Sequence, residues 1–227
     1  MIYEEENRMK CLYELNVEQL YKVVEEDLSL DGWIIWNESL AKRTESAREL
    51  KRFDTIKDKA IEKGFTNIDN EIVTWFDTLT MLYRSLKNIS DLELKDNLKI
   101  FQEFRMPYSR KRADYVLVYD NKILILEFSF DKLGYAQKYE DKLQQASSYK
   151  EILGVFLPKE IDIGTYTFLI APDEDKEGRL IYDSETNRRV NDDKVEELAT
   201  VIVKFFKKNL KSAYNALKHL DYGDGEN

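Results

Sequence analysis

The sequence predicts an α/β fold in which a mixed β-sheet is flanked by helices and preceded by an N-terminal helical extension. Two apolar runs, 112–119 and 122–130, flank the dipeptide Asp120-Asn121, which suits a two-residue hairpin turn. Residues with helical periodicity precede these strands, and a helix, a strand and a second helix follow them. Helices that enclose a group of strands in this order favour one mixed sheet covered on its faces.

The N-terminal part is predicted to be helical. Apolar residues recur at helical spacing over 17–28, 38–63 and 69–86. Asp69 or Asn70 is a suitable N-cap for the third helix. The apolar stripe of that helix is the clearest of the three and consists of Ile72, Trp75, Phe76, Leu79, Leu82 and Tyr83. We assign residues 1–66 to the helical extension.

The remaining elements are predicted to belong to a second unit, residues 67–221. Short strands are expected at 99–105 and 166–170, and helices at 134–153 and 192–220. A small hairpin is expected at 179–190. The polar tail 222–227 is expected to be disordered.

The composition excludes several kinds of active site. Cys11 is the only cysteine and His219 the only histidine of the 227 residues. Zinc sites of Cys and His, and nucleophile systems that need a histidine base, are therefore excluded. The eight glycines form neither a phosphate-binding P-loop nor a GxGxxG motif. The chemistry that remains uses carboxylates, lysines, tyrosines and metal ions.

Charge and hydropathy indicate the cellular location and the kinds of partner that the chain is expected to have. No run approaches the ~20 apolar residues of a membrane span, and the acidic start is unlike a signal peptide. With a single cysteine we expect a reducing, cytoplasmic location and no membrane contact. A net charge of −9 argues against a non-specific nucleic-acid coat protein, although 105–112 and 204–211 are locally basic.

Two carboxylates stand out in the predicted hairpin. If the loop is Asp120-Asn121, Asp114 lies opposite Glu127, and Arg112 lies opposite Ser129. Opposed side chains have Cβ atoms about 5 Å apart, and like charges at that distance are destabilising. A cation between the two acids would remove this repulsion, and Mg²⁺ prefers such oxygen ligands.

The second strand of the hairpin is apolar on both faces. Ile123 and Ile125 share one face with Glu127 and Ser129, while the alternate positions are Leu or Phe. A strand of this kind is expected to be central and covered on both sides. Its polar residues come at the C-terminal end, where ligands bind in open α/β sheets.

These residues resemble the PD-(D/E)xK superfamily, the nucleases of restriction-endonuclease-like fold. Asp114 and Glu127 match the two acids of its hairpin, and Gln145-Ala-Ser-Ser-Tyr149 is similar to the Gln-x-x-x-Tyr motif of the RecB-type branch. The run from Met106 to Asp114 also resembles the approach to the nuclease-like segment ahead of some bacterial helicases. A helix with an aromatic residue, here Glu71 to Trp75, precedes the strands there too. The resemblance covers about residues 69–171.

The resemblance implies a role for each residue. Asp114, Glu127 and the main-chain carbonyl of Phe128 would bind one or two Mg²⁺ or Mn²⁺ ions. Glu71 would be the extra acid that some members supply. Gln145 and Tyr149 would orient water or a phosphate from one face of their helix.

The chain departs from the family at Ser129, where the motif has a lysine. Three interpretations remain open. Arg112, opposite Ser129 in the predicted register, could supply the positive charge. Lys138 or Lys142, on the helical stripe of Gln145 and Tyr149, could reach in as a relocated lysine. Alternatively the site is degenerate and the domain only binds.

Ordinary structural roles are the competing interpretation. Asp114 could be an edge-strand charge paired with Arg112 or Lys111, and Glu127 a buried acid bonded to Tyr149. Glu71 could simply be an acid favoured at a helix start.

The resemblance favours a metal-dependent nuclease that acts on DNA more than on RNA, in phage defence, mobile elements or repair. A helicase or ATPase is a possible protein partner. The alternative is a catalytically inactive nuclease-like module that binds nucleic acid or a protein.

Overall fold

The computed structural model describes residues 11–33, 35, 40–66, 68–130, 136–170 and 192–207. Over these residues the chain forms one five-stranded mixed sheet and seven α-helices. The strands are β1 (Tyr13–Asn16), β2 (Lys99–Arg105), β3 (Arg112–Tyr119), β4 (Lys122–Phe130) and β5 (Asp162–Ile170). The helices are α1 (Val17–Lys22), α2 (Leu40–Arg48), α3 (Lys51–Glu62), α4 (Asp69–Lys87), α5 (Leu92–Asn97), α6 (Ala136–Phe156) and α7 (Asp192–Phe206). The predicted α/β class is confirmed.

The sheet has the strand order β1-β2-β3-β4-β5. The first four strands are antiparallel neighbours, whereas β5 runs parallel to β4. Parallel neighbours need a crossover connection, and the chain segment that contains α6 provides it. This crossover brings one face of α6 back over the hairpin.

The predicted hairpin is confirmed together with its register. Tyr119 pairs with Lys122, and the ladder continues to Tyr115 and Leu126. Asp120 in the two-residue loop has φ +62°, the left-handed conformation that Asp tolerates in hairpin turns. The local turn chemistry therefore sets which residues of the two strands face each other.

Strand β4 is buried along eight of its nine residues, as expected for a central strand. One face of the sheet packs on the apolar stripe of α4 and on α7, with Leu117, Leu124 and Leu126 at the contact. The opposite face packs on α6, where Tyr149 and Leu153 meet Ile123 and Ile125. The sheet is thus the middle layer between helices.

Several predicted details differ from the structure. The predicted helix at 38–63 is two helices, because Leu50 adopts an extended conformation between α2 and α3. Neither Asp69 nor Asn70 caps α4, whose N-cap position is Ile68 without a side-chain bond. The helix predicted at 17–28 ends as a π-helical turn, Val23–Asp27.

Two short elements were not predicted. Strand β1, which lies within the predicted helical extension, pairs with β2 at the sheet edge. Helix α5 is capped by Asp91, which accepts the Leu94 N–H at 3.0 Å. Elements of four and six residues are too short for periodicity to reveal.

Some predictions fall on residues that the structure does not describe. The hairpin at 179–190, the end of the helix predicted at 192–220 and the tail 222–227 lie outside the described ranges. Among the described residues, no helix is both long and apolar enough to cross a membrane.

Candidate active site

Asp114 and Glu127 lie side by side at the open end of the hairpin. The Asp114 N–H donates to Glu127 Oε1 at 3.1 Å, and the Phe128 N–H donates to Asp114 Oδ2 at 2.7 Å. Each carboxylate is therefore held by the main chain of the neighbouring strand. Strand β3 lies between β2 and β4, so Asp114 is not an edge-strand charge.

The cation beside these acids is Lys142 of α6. Its Nζ lies 2.7 Å from Glu127 Oε2 and 3.3 Å from Asp114 Oδ2. The Glu127 side chain is completely buried, and the Lys142 side chain is 27% exposed. Lys142, one of the two lysines considered as a relocated cation, is thus the lysine that lies beside both acids. The side chain of Lys138 lies outside the described residues.

Burial and mutual interaction shift the pKa values of these charged groups. Burial, and next the negative charge of Asp114, raise the pKa of Glu127 to about 8. Burial alone would lower the pKa of Lys142, but Asp114 and Glu127 outweigh it and hold that pKa above its usual range. The ammonium therefore stays charged, and the acid pair attracts additional positive charge.

Arg112, one of the three candidate explanations of the missing lysine, lies beside two other acids. Its guanidinium lies 3.2 Å from Glu71 Oε2 and 3.4 Å from Glu103 Oε2, and it covers the ring of Phe65 at 4.6 Å. Two carboxylates attract a guanidinium far more strongly than a hydroxyl does, which explains why the Arg112 side chain points towards Glu71 and Glu103 and not towards Ser129. Arg112 thus forms ion pairs with both Glu71 and Glu103.

Ser129 is buried on β4, where it pairs with Leu169 of β5. It cannot carry a positive charge, and Lys142 supplies that charge from the helix above the sheet.

Gln145 and Tyr149 lie together, as their spacing predicts. Gln145 Nε2 donates to the Tyr149 hydroxyl, which in turn donates to the main-chain carbonyl of Arg112 at 2.8 Å. Tyr149 is thus bonded to β3 and not to Glu127. The pair fixes α6 on the sheet and presents the Gln145 side chain to the cavity described below.

Glu103 was missed by the sequence analysis. It faces Asp114 across β2 and β3, between the regular pairs Gln102–Tyr115 and Phe104–Ala113. Its φ is +55°, which a non-glycine residue adopts at a cost of about 1–3 kcal/mol. Its carboxylate is buried and accepts the indole N–H of Trp75 at 2.9 Å.

Three adjacent strands therefore each place one acid in the same row: Glu103, Asp114 and Glu127. A charged residue in the middle of the predicted strand 99–105 was the available signal, but its use required knowing the pairing of β2 with β3. Burial, and next the charge of Asp114, raise the pKa of Glu103 to about 8.

A cavity of about 770 Å³ opens beside this row. Its size is within the range of ligand sites, roughly 300–1,000 Å³. Glu71, Glu103 and Asp114 give it acidic groups, and α6 contributes polar side chains that include Gln145. Its basic residues are Arg110, Lys111 and Arg112.

The acids suit a metal that keeps part of its water shell. Among the described residues, no three Asp, Glu, His or Cys side chains are grouped as a complete metal cage. Mg²⁺ is usually bound by one or two carboxylates, with waters and substrate phosphates as the other ligands. Asp114 and Glu127 provide two carboxylates of this kind.

The chain matches no protein-family profile, no curated protein and no solved structure. The resemblance to the PD-(D/E)xK nucleases therefore stays a prediction that depends on the residues themselves.

We expect Glu103→Gln to change the pH dependence of stability. A carboxyl with a raised folded-state pKa stabilises the fold below its unfolded pKa, near 4.5, and loses this contribution as pH rises towards 8. The variant lacks that loss, so its unfolding free energy relative to wild type should increase steadily as pH rises between these values. Thermal unfolding of both proteins in chelator over this pH range measures the difference in unfolding free energy. Glu62→Gln, which changes an exposed glutamate, is the control. A difference independent of pH would show that burial does not disfavour the charged carboxylate.

Proposed function

We propose that the chain is a metal-dependent phosphodiester hydrolase of nucleic acid, with DNA as the first candidate substrate and RNA as the second. One observation carries this proposal: two carboxylates from adjacent strands converge on a single cation beside a cavity. The arrangement has the acids, the positive charge and the space that phosphoryl-group chemistry needs.

The donor atoms fit Mg²⁺ or Mn²⁺. Asp114 and Glu127 offer hard oxygen ligands, and the resemblance adds the main-chain carbonyl of Phe128. Burial, and next the negative charge of Asp114, raise the pKa of Glu127, and a divalent ion beside both carboxylates would stabilise their charged forms. When bound, a divalent ion would activate water and stabilise the charge that develops on the scissile phosphate.

The chain's own residues bind and position the substrate. Lys142 can hold its proton throughout and place a positive charge next to a phosphate oxygen. The side-chain amide N–H of Gln145 donates to the Tyr149 hydroxyl. The side-chain oxygen, Oε1, is therefore left to accept a hydrogen bond from water. Arg110 and Lys111 give the cavity a local positive potential that counters the net charge of −9.

The alternative is a non-catalytic module, and one observation favours it. Lys142 already pairs with the buried Glu127 carboxylate, which is also what a purely structural ion pair would do. Such a module would bind nucleic acid or a protein partner, such as a helicase or ATPase, without turnover. Its binding would survive a chelator.

The test is cleavage by the whole chain of single-stranded and duplex DNA and RNA, with millimolar Mg²⁺ or Mn²⁺ or with chelator. We expect cleavage with metal and none in chelator. Binding without cleavage under every metal condition would favour the non-catalytic module. Cleavage that continues in chelator would contradict metal dependence.

A further inference from the structure

An exposed aromatic residue occupies a glycine position in the turn between β2 and β3. The Ser109 N–H donates to the Met106 carbonyl at 3.3 Å, and Pro107 and Tyr108 are the central residues. Tyr108 has φ +50°. Proline followed by a residue of positive φ is the pattern of a type II turn, whose third residue is normally Gly. A tyrosine is retained there despite the backbone strain.

The turn holds the Tyr108 ring against the C-terminal residue of α6. The rings of Tyr108 and Phe156 stack with centroids 5.3 Å apart and an interplanar angle of 22°. Tyr108 is nevertheless 53% exposed and Phe156 41% exposed. Further bonds fix the turn, because Arg105 Nε donates to the Ser109 carbonyl at 3.0 Å. The result is a rigid aromatic surface open to solvent.

This surface adjoins the cavity. Arg110 and Lys111, which line the cavity, follow Tyr108 by two and three residues, and consecutive Cα atoms are about 3.8 Å apart. Tyr108 Cα therefore lies within roughly 8 Å of the Arg110 Cα. On α6, Phe156 lies eight residues beyond the cavity residue Ser148, or about 12 Å along the helix axis. Along the chain, the two cations Arg110 and Lys111 thus come between Tyr108 and Asp114, and both line the cavity.

The charges and rings between Tyr108 and the cavity indicate which ligand this surface binds. Neither Arg110 nor Lys111 forms a salt bridge with another residue of the described part of the chain, so both charges can neutralise phosphates. Exposed rings stack on bases of any sequence, but only where the base faces are not covered by duplex neighbours. A second copy of the chain is disfavoured by the net charge of −9 that each copy carries.

We propose that Tyr108 and Phe156 form a stacking platform for an unpaired base of single-stranded nucleic acid. The backbone of that strand crosses Arg110 and Lys111 and delivers a phosphate to Asp114 and Glu127. This inference depends on the proposed function, which it deepens by naming single-stranded substrates or unpaired ends.

The experiment compares binding of a single-stranded oligonucleotide and a blunt duplex of equal length by fluorescence anisotropy in chelator. Tyr108→Gly should weaken single-strand binding about tenfold and leave duplex binding unchanged. Glycine relieves the strained turn, so the melting temperature should fall little or not at all, which separates lost stacking from unfolding. Phe156→Ala should act in the same direction, and Leu92→Ala, another exposed apolar position, is the control.

A 2-aminopurine base in the single strand gives a direct readout. Its fluorescence should be quenched by wild type and by Tyr108→Trp, and not by Tyr108→Gly. Equal single-strand affinity of Tyr108→Gly and wild type would overturn the platform, and if DNA were still cut the hydrolase proposal would stand alone. A Tyr108-dependent affinity in a protein that never cuts would support the platform and count against the hydrolase.

Discussion

Asp114→Asn and Glu127→Gln are each expected to lower metal-dependent DNA cleavage by a factor on the order of a thousand or more. Both substitutions keep the shape of the side chain and remove one negative charge from the row of acids. The main-chain N–H bonds that hold each side chain can persist, because an amide oxygen also accepts them. For Asp114→Asn the expected loss is therefore chemical and not a loss of folding. Glu127→Gln also loses the bond from Lys142 to Oε2, so its melting temperature should fall while the protein still folds.

Thermal unfolding with and without Mn²⁺ provides the second readout for these variants. A ligand that binds only the folded state stabilises it, by about 2.7 kcal/mol at a concentration of 100 Kd. Wild type should gain this protection and both variants should lose most of it. The exposed residues Asp58 and Glu62 of α3 give matched controls, Asp58→Asn and Glu62→Gln. Unchanged cleavage in either active-site variant would place the chemistry elsewhere.

Lys142→Met is expected to lower turnover by about a hundredfold or more while metal binding is retained. The substitution removes the positive charge that the proposed function places next to the scissile phosphate, but it leaves both carboxylates. Mn²⁺ should protect the variant at least as well as wild type, because the competing ammonium is gone. Lowered turnover with unchanged metal affinity would show that Lys142 acts in the reaction and does not only stabilise the structure.

The same substitution should also destabilise the metal-free protein. Loss of the ammonium leaves Glu127 buried beside Asp114 without its partner. Breaking a buried ion pair costs about 3–5 kcal/mol, and the partial exposure of Lys142 reduces this to about 2 kcal/mol. Lys150→Met, on an exposed position of α6, is the control. Wild-type turnover in Lys142→Met would show that Lys142 has only a structural role.

The parts of the fold that follow from neighbouring residues could be predicted. The hairpin turn at Asp120-Asn121 sets the pairing of β3 with β4, and this pairing brings Asp114 next to Glu127. The apolar stripe of α4 gave that helix within one residue of its observed C-terminus. In each case the information lies within a few residues of the feature.

Features that depend on distant contacts could not be derived in this way. Lys142 was one of two candidate lysines, and only the path of α6 across the sheet selects it. Arg112 was expected to lie opposite Ser129. Its guanidinium instead contacts Glu71 and Glu103, and these contacts could not be derived because the two acids belong to other elements, α4 and β2. Glu103 itself was missed, since its place in the row of acids depends on the register of β2 with β3.

The most direct measurement is a crystal structure of the whole chain soaked in Mn²⁺, with anomalous diffraction recorded at the manganese edge. The account predicts an anomalous peak within ligand distance of Asp114 and Glu127, and a Lys142 ammonium displaced from at least one of them. A difference map without a peak there, with Lys142 still bonded to both acids at millimolar Mn²⁺, would contradict it.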